Sequence, residues 1–329
     1  MGEGEDNKLT KFLINQIAQS VVMAHKEKGP AHIGFAYGHL DSLTRNRQQN
    51  NNEVIDPQVG VLKVQKKDSR EMIAVLANFT GHPVIFWGDN LLLSSEYPGQ
   101  ACRTVEESLG GVALFTQGAC GDITMHRNGS IPEEVTRIGR ILGGEIIKTT
   151  ESISVSEDNE LFSQVKAVKV EAREILTLKE AAANIKARKQ ALEDAKVAER
   201  SKVIISDLQR EVNAANTTFM VAQKLTEFPD TLEHSTNTSI QVSQIGPMVI
   251  VAIPREIFVE YQLEMKQRIH QDTGKSAIIV GYANDYIGYI ITPRANETGG
   301  YEKAISKVSH TSGRTLTEAA IGIVRESLV

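Results

Sequence analysis

The sequence predicts an α/β fold with a mixed-sheet core, flanking helices and one long helical excursion. Short β-rich runs alternate with helical segments before residue 150, and β-rich runs return in the last hundred residues. That alternation is typical of a layered α/β protein. Between these parts, residues 145–228 contain neither glycine nor proline. We therefore expect residues 1–329 to form a single domain whose helical excursion covers about residues 177–226.

The first half of the chain begins with a helix and continues with strands. Residues 8–27 place apolar side chains at helical spacing and are followed by Gly29-Pro30, which predicts an amphipathic helix. Three β-rich runs follow, and we expect them in one sheet. A helix over about 99–109, a strand and a helix over about 132–148 complete this half. The four predicted strands have the sequences AHIGFAYG, VGVLKVQ, EMIAVLANFT and GVALFTQG.

The second half combines the helical excursion with a further set of strands. Residues 161–173 alternate as a strand does, and residues 177–226 are rich in good helix formers. The latter segment predicts a long helix or a helical hairpin, either as a solvated excursion from the core or as a lid or partner-binding element. Helices are expected near residues 257–270 and 316–328. The strands around them are TSIQVSQ, PMVIVAIP and SAIIVGYAN.

Composition excludes several classes of protein. Of the 329 residues 41% are hydrophobic and 23% charged, as in ordinary globular proteins, and the net charge of −5 leaves no basic stripe for nucleic acid. No apolar run approaches the roughly 20 residues of a membrane-spanning helix. The start MGEGEDNKLTKF lacks the pattern of a secretory signal. As written, the chain is expected in the cytoplasm, with secretion as the alternative if its N-terminus is incomplete, and nothing predicts its oligomeric state.

Two cysteines, Cys102 and Cys120, are too few for a disulfide framework or a four-cysteine zinc site. Cys120 is a candidate nucleophile, but the sequence offers it no obvious histidine partner. Both cysteines are therefore expected to be free and buried.

Polar clusters follow four of the predicted strands, whereas H-E-x-x-H, G-x-S-x-G and glycine-rich phosphate loops are absent. Sites in α/β sheets lie at the carboxyl ends of strands, so we expect these clusters to converge. Each has a simpler interpretation: His82 as a turn residue, Asp122 as a cap or turn residue, Glu256 as the first acid of the next helix and the tyrosines as packing groups. The clusters are NFTGHP, QGACGDIT, IPRE and GYANDYIGY.

The ordered set FTGHP, SSEYPG, FTQGACGDIT, IPRE and NDYIGY resembles the neutral/alkaline non-lysosomal ceramidase family over about residues 8–329. The resemblance implies a zinc-dependent amide hydrolase that cleaves an N-acyl sphingoid base or a related lipid or smaller amide. It implies His82 and Glu256 as Zn²⁺ ligands, with Tyr286 or Tyr289 as a third. We favour Tyr289, since Tyr301 follows it after the twelve positions that separate the two active-site tyrosines of the family.

Two positions depart from the family pattern. Thr124 occupies the place of the serine in Gly-Asp-x-Ser, and we expect it to orient the substrate, with covalent attack as the alternative. The first zinc histidine of the family lies in a Thr-His-Thr-His-Ser-Gly segment, and none of His25, His32 and His39 has that context. The chain is therefore expected to lack the N-terminal part of the family domain.

A ligand set of three should weaken zinc binding. The rival hypothesis is a catalytically impaired protein whose helical segment, residues 177–226, binds a partner. A shortened domain would also expose an apolar edge.

Overall fold

Two four-stranded sheets form the centre of the protein. The computed structural model describes residues 7–48, 54–86, 90–157, 160–227 and 237–328. Its helices are α1 Asn7–Lys26, α2 Glu96–Leu109, α3 Pro132–Ser152, α4 Leu178–Val197, α5 Lys202–Glu227, α6 Val259–Thr273, α7 Pro293–Thr298, α8 Tyr301–Ile305 and α9 Ser312–Leu328. Its strands are β1 Ala31–His39, β2 Thr44–Asn46, β3 Gln58–Lys66, β4 Met72–Phe79, β5 Val112–Gln117, β6 Ile123–Met125, β7 Leu161–Lys169, β8 Asn237–Ile245, β9 Met248–Ala252, β10 Glu256–Ile257, β11 Ser276–Val280 and β12 Tyr289–Ile290. The predicted α/β class is confirmed.

Both large sheets are mixed. The first has the order β1-β3-β4-β5, in which only β4 and β5 run parallel, and the second has the order β11-β9-β8-β7, in which only β11 and β9 run parallel. The three early β-rich runs share one sheet, as expected. The later strands form a second sheet of their own, which periodicity within single strands does not specify.

The two sheets pack face to face, and a helical layer covers each outer face. Leu62, Met248 and Ile278 lie between the sheets. Helices α2 and α3 cover the first sheet, and α6 and α9 cover the second. A buried hydrogen bond also joins the two sheets: Asn78 Nδ2 on β4 donates to Ile279 O on β11 over 3.0 Å. The result is a four-layer α-β-β-α sandwich.

The carboxyl ends of the four parallel-paired strands meet at one edge of this sandwich. Gly118 N donates to Phe79 O over 2.8 Å, which joins the ends of β5 and β4. Gly281 N donates to Gln117 O over 2.9 Å, which joins the second sheet to the first. The segments that leave these strands therefore begin next to one another.

The segment rich in helix formers is a hairpin of α4 and α5, in agreement with one of the two predicted forms. Helix α4 begins at a capping box in which Thr177 and Glu180 bond reciprocally. Leu192 and Val212 are buried in the hairpin, and α5 contacts the short helix α8. The hairpin thus reaches the same edge of the sandwich as the strand ends.

Helix α1 forms where the sequence predicts it, but its apolar side chains are exposed. Phe12 is 56% exposed and Ile17 is 65% exposed, and Leu9, Leu13 and Val21 are similar. None of the described helices combines the length and hydropathy needed to cross a bilayer.

Candidate functional site

Two very short strand pairs, β10–β12 and β2–β6, hold the candidate side chains at the edge where the strands end. Strands β10 and β12 run parallel with Glu256 opposite Tyr289. Thr124, on β6, pairs with Arg45 on β2 and makes an isolated parallel bridge with His82. The backbone thereby fixes the neighbours of His82 and of Glu256 independently of their side chains.

The His82 ring is held from both sides. Nδ1 lies 3.0 Å from the backbone oxygen of Ile123, which can only accept, so Nδ1 carries a proton. Nε2 lies 3.0 Å from Glu256 Oε2 and 3.2 Å from the Tyr282 hydroxyl. His82 is thus hydrogen-bonded, as the turn interpretation required, and its Nε2 also points into a cluster of polar side chains.

Charges around His82 and Glu256 favour an ion pair. Burial on its own would lower the pKa of His82, but Cys120 and Glu256 beside it outweigh burial and raise the pKa to about 10. Burial would raise the pKa of Glu256, but hydrogen bonds from His82 and Tyr289 lower it overall. At neutral pH the imidazolium and the carboxylate therefore neutralise each other in a site where each residue is only 7% exposed.

Both tyrosines that the sequence left as alternatives adjoin Glu256. The Tyr289 ring stacks on His82 with ring centroids 6.5 Å apart. Burial and the Glu256 carboxylate raise the pKa of Tyr289, while Arg47 opposes them. Tyr286 donates to Glu256 Oε1 over 3.4 Å, but it is 51% exposed and lies under the Arg255 guanidinium.

The two predicted catalytic residues contact different members of this cluster. Thr124 is partly buried and bridged to His82 through the backbone. Tyr301 begins α8, is 54% exposed and packs edge-on against Tyr289 with centroids 6.2 Å apart. The structure therefore brings together all five predicted site residues, with Tyr301 at the outer rim.

Several residues at the site were not singled out as site residues from the sequence. Tyr282 bonds His82 as described, and its hydroxyl lies 3.6 Å from Cys120 Sγ. Cys120 also interacts with His82, so it has the histidine neighbour that the sequence did not reveal. Only the tyrosine-rich composition of residues 282–289 pointed towards Tyr282.

Arg47 connects the cluster to α8. Its guanidinium pairs with the buried Glu302 at 2.9 Å, donates to Gly121 O over 2.6 Å and interacts with Tyr289. The polar run after β2 has the composition of a simple turn, so no pattern selected this arginine in advance.

Asp122 has the capping role that was one interpretation of the sequence, although for a distant helix. Its carboxylate accepts from Val259 N, the first residue of α6, over 2.9 Å and from Asn46 Nδ2 over 2.6 Å. Burial raises the pKa of Asp122 to about 7. This carboxylate ties the loop of Thr124 to the helix that follows Glu256.

The other early histidines point elsewhere. His25 lies on the exposed helix α1, His32 Nε2 pairs with Glu157 at 3.3 Å and His39 Nε2 pairs with Asp41 at 2.8 Å. Among the described residues there is no group of three His, Cys, Asp or Glu side chains placed to hold a metal ion.

No protein-family model and no curated protein matches this sequence. Solved structures do match its fold. The neutral ceramidase from Pseudomonas aeruginosa has a TM-score of 0.70 at 16% identity, with 96% of this chain and 55% of that chain covered. A ceramidase complexed with C2 has a TM-score of 0.68 at 16% identity, with 96% and 57% covered. The chain thus has the fold of these ceramidase structures and spans about half the length of each.

Proposed function

We propose that this chain is a zinc-dependent amide hydrolase of the ceramidase kind, acting at the cluster of His82, Glu256 and Tyr289. The observation that carries the proposal is the buried pair of His82 Nε2 and Glu256 Oε2, 3.0 Å apart at the edge where the strands end. The likeness of the fold to neutral ceramidases supports the same reaction class.

The donor set suits a zinc ion. Imidazole nitrogen and carboxylate oxygen bind zinc at about 2.0–2.2 Å, which places neighbouring donors of a tetrahedral site about 3.3–3.6 Å apart. The Nε2–Oε2 distance is 3.0 Å, so the two groups would need to separate by only about 0.3–0.6 Å to hold the ion. The bond between Nδ1 and Ile123 O orients the ring as an outer-shell partner does. Zinc binding would displace the proton that lies between His82 Nε2 and Glu256, which makes this nitrogen a ligand, and Tyr289 would supply the third donor after losing its own proton.

When bound, the zinc ion would polarise the amide carbonyl and lower the pKa of a water molecule, so that hydroxide is available to attack the carbonyl carbon near neutral pH. Tyr301, at the outer rim, would donate a hydrogen bond to the carbonyl oxygen as negative charge develops. Thr124 would orient the substrate through its hydroxyl. Arg47, fixed by Glu302, would hold Tyr289 in position.

The proposed substrate is an N-acyl compound, either a lipid amide as the ceramidase likeness suggests or a smaller amide. Metal analysis after zinc reconstitution tests the site directly. We expect one zinc per chain in the wild type, and loss of zinc and of amide hydrolysis in His82→Ala and Glu256→Gln. Tyr286→Phe is the matched control, since it removes a hydroxyl near Glu256 and should keep the zinc. A wild-type chain that takes up no zinc contradicts the proposal.

A binding function without catalysis is the second candidate. The observation that favours it is that no three His, Cys, Asp or Glu side chains among the described residues are placed to hold a metal ion. It predicts that zinc leaves the melting temperature unchanged and that no amide is cleaved. Removal of the α4–α5 hairpin would then abolish association with a partner while the sandwich stays folded.

A further inference from the structure

A cavity of about 490 Å³ lies between α5 and residues 298–302, directly beside the candidate site. Tyr301 and Arg47 belong to both places, because each lines the cavity and each contacts Tyr289. A substrate whose amide lies at the His82–Glu256–Tyr289 cluster would therefore extend one of its ends into this space.

The wall that α5 contributes is polar. Asp207, Arg210, Asn213 and Thr217 face the cavity, and no Leu, Ile, Val, Met or Phe is among the described residues that line it. A second cavity of about 770 Å³ adjoins it under the same hairpin and is also lined mainly by polar side chains. Pockets that bind alkyl chains are lined mostly by apolar and aromatic groups. An alkyl chain here would remove the polar ends of these side chains from water, which is costly wherever they keep unused hydrogen-bonding capacity.

Each charged side chain in the wall of this cavity already has an ionic partner. Arg47 pairs with Glu302, Arg210 pairs with Asp207, and Glu211 pairs with Arg188 outside this cavity. An anion or a cation that bound here would therefore compete with these existing ion pairs. The neutral hydrogen-bonding groups of α5 at this cavity are Asn213 and Thr217. Asn213 Oδ1 accepts from Gln209 Nε2 over 3.2 Å and the Thr217 hydroxyl donates to Asn213 O over 3.1 Å, so Asn213 Nδ2 can still donate to a ligand and the Thr217 oxygen can still accept from one.

We propose that this cavity is the binding subsite for an uncharged, hydroxyl- or amide-bearing portion of the substrate, and that α5 makes the enzyme prefer hydrophilic amides. The proposal rests on the proposed function for the location of the scissile amide. It gives the helical hairpin a role in selecting the substrate.

Matched pairs of small amides test the proposal. On the amine side, N-octanoyl-2-amino-1,3-propanediol is compared with N-octanoyl-2-aminopropane. On the acyl side, hydroxyacetyl is compared with propanoyl on one amine. For the end that occupies the cavity we expect kcat/KM to be about 10-fold or more higher for the hydroxylated member, because a site built for hydroxyl groups rejects analogues that lack them.

The double variant Asn213→Leu/Thr217→Val should reduce that preference to about 2-fold or less. Gln223→Leu is the matched control, since it adds an apolar side chain on the same helix away from both cavities and should keep the preference. Equal preference in the wild type and the folded double variant, or faster cleavage of the plain amides, overturns the inference.

If no amide is hydrolysed, the proposed function fails and calorimetric binding of the same amides decides the subsite. Binding of the hydroxylated member that weakens in the double variant supports the subsite. Unchanged or undetectable binding in both proteins overturns it.

Discussion

Replacing Gly121 by alanine should push apart the two segments that carry the candidate site. A Cβ atom at this position would lie 2.5 Å from Glu256 O, 2.9 Å from Phe258 Cδ1 and 3.0 Å from Ile257 O. Two of these three atoms belong to the backbone, so side-chain rotation cannot relieve the contact. The glycine also donates to Ile257 O over 3.0 Å, which leaves the segments little freedom to separate.

The expected cost follows from the size of this overlap. The loop must move by at least ~0.5 Å to bring the Cβ–oxygen contact into the range of real structures, and overpacking of this kind costs about 1–3 kcal/mol in the free energy of unfolding. The same shift moves the Thr124 segment relative to Glu256. Since a 1 Å displacement of catalytic groups can cost ~100-fold in rate, we expect a roughly 10-fold loss of amide hydrolysis and weaker zinc binding.

Gly144→Ala provides the matched control. Gly144 lies on the exposed side of α3, and a Cβ atom there would have nothing within 4 Å. Alanine should stabilise the helix by about 0.5–1 kcal/mol and leave hydrolysis unchanged. Urea denaturation, zinc titration and the hydrolysis assay are compared for both variants. A Gly121→Ala protein with wild-type stability and zinc affinity would refute the close approach of the two segments.

Three further predictions concern residues around the site. Glu302→Gln leaves the Arg47 guanidinium without its buried partner and should lower the free energy of unfolding by about 1–3 kcal/mol. The control Glu71→Gln, in the exposed Lys66–Glu71 pair, should change it by less than ~0.5 kcal/mol. Equal effects of the two variants in urea denaturation would refute the difference in burial. The raised pKa of Asp122 means that the folded chain binds more protons than the unfolded chain between about pH 4 and 7, so the free energy of unfolding should fall as pH rises through that window, by up to ~1.4 kcal/mol per unit from this group. Asp122→Asn should remove this part of the slope, and identical slopes in the two proteins would contradict the raised pKa. Thr124→Val should lower kcat/KM by about 10-fold if the hydroxyl only orients the substrate, and a loss of ~10⁴-fold or more would instead indicate covalent attack.

Much of the fold follows from periodicity within single segments. Each long element in the described ranges lies close to its predicted position, because the burial of one face of a helix or strand imposes a repeat that the sequence displays. The hairpin was equally accessible, since a stretch without glycine or proline favours helices and the break at residues 198–201 needs only a short turn. What periodicity could not provide was the division of the strands between two sheets.

The candidate site was predictable in location but not in detail. The polar clusters at the strand ends converge, as topology requires of parallel-paired strands. The pairing of Glu256 with Tyr289 depends on β10 and β12, which have two residues each and no detectable pattern. Arg255 and Tyr282 adopt left-handed backbone conformations with φ of 61° and 55°, and Tyr282 N donates to Arg255 O over 3.0 Å. Non-glycine residues rarely adopt this conformation, and no local sequence pattern predicts it here.

The number of protein ligands in the proposed zinc site is compatible with catalysis. From the sequence, a set of three ligands suggested weakened zinc binding. Catalytic zinc sites, however, commonly use three protein ligands and leave the fourth position to water or substrate, whereas structural sites are closed by four. If the proposed ligands are His82, Glu256 and Tyr289, their number equals that of a catalytic zinc site. Whether the tyrosine gives up its proton to the metal decides the matter, and the zinc affinity of Tyr289→Phe measures this: a drop of 10-fold or more makes Tyr289 a ligand, and an unchanged affinity removes it from the set.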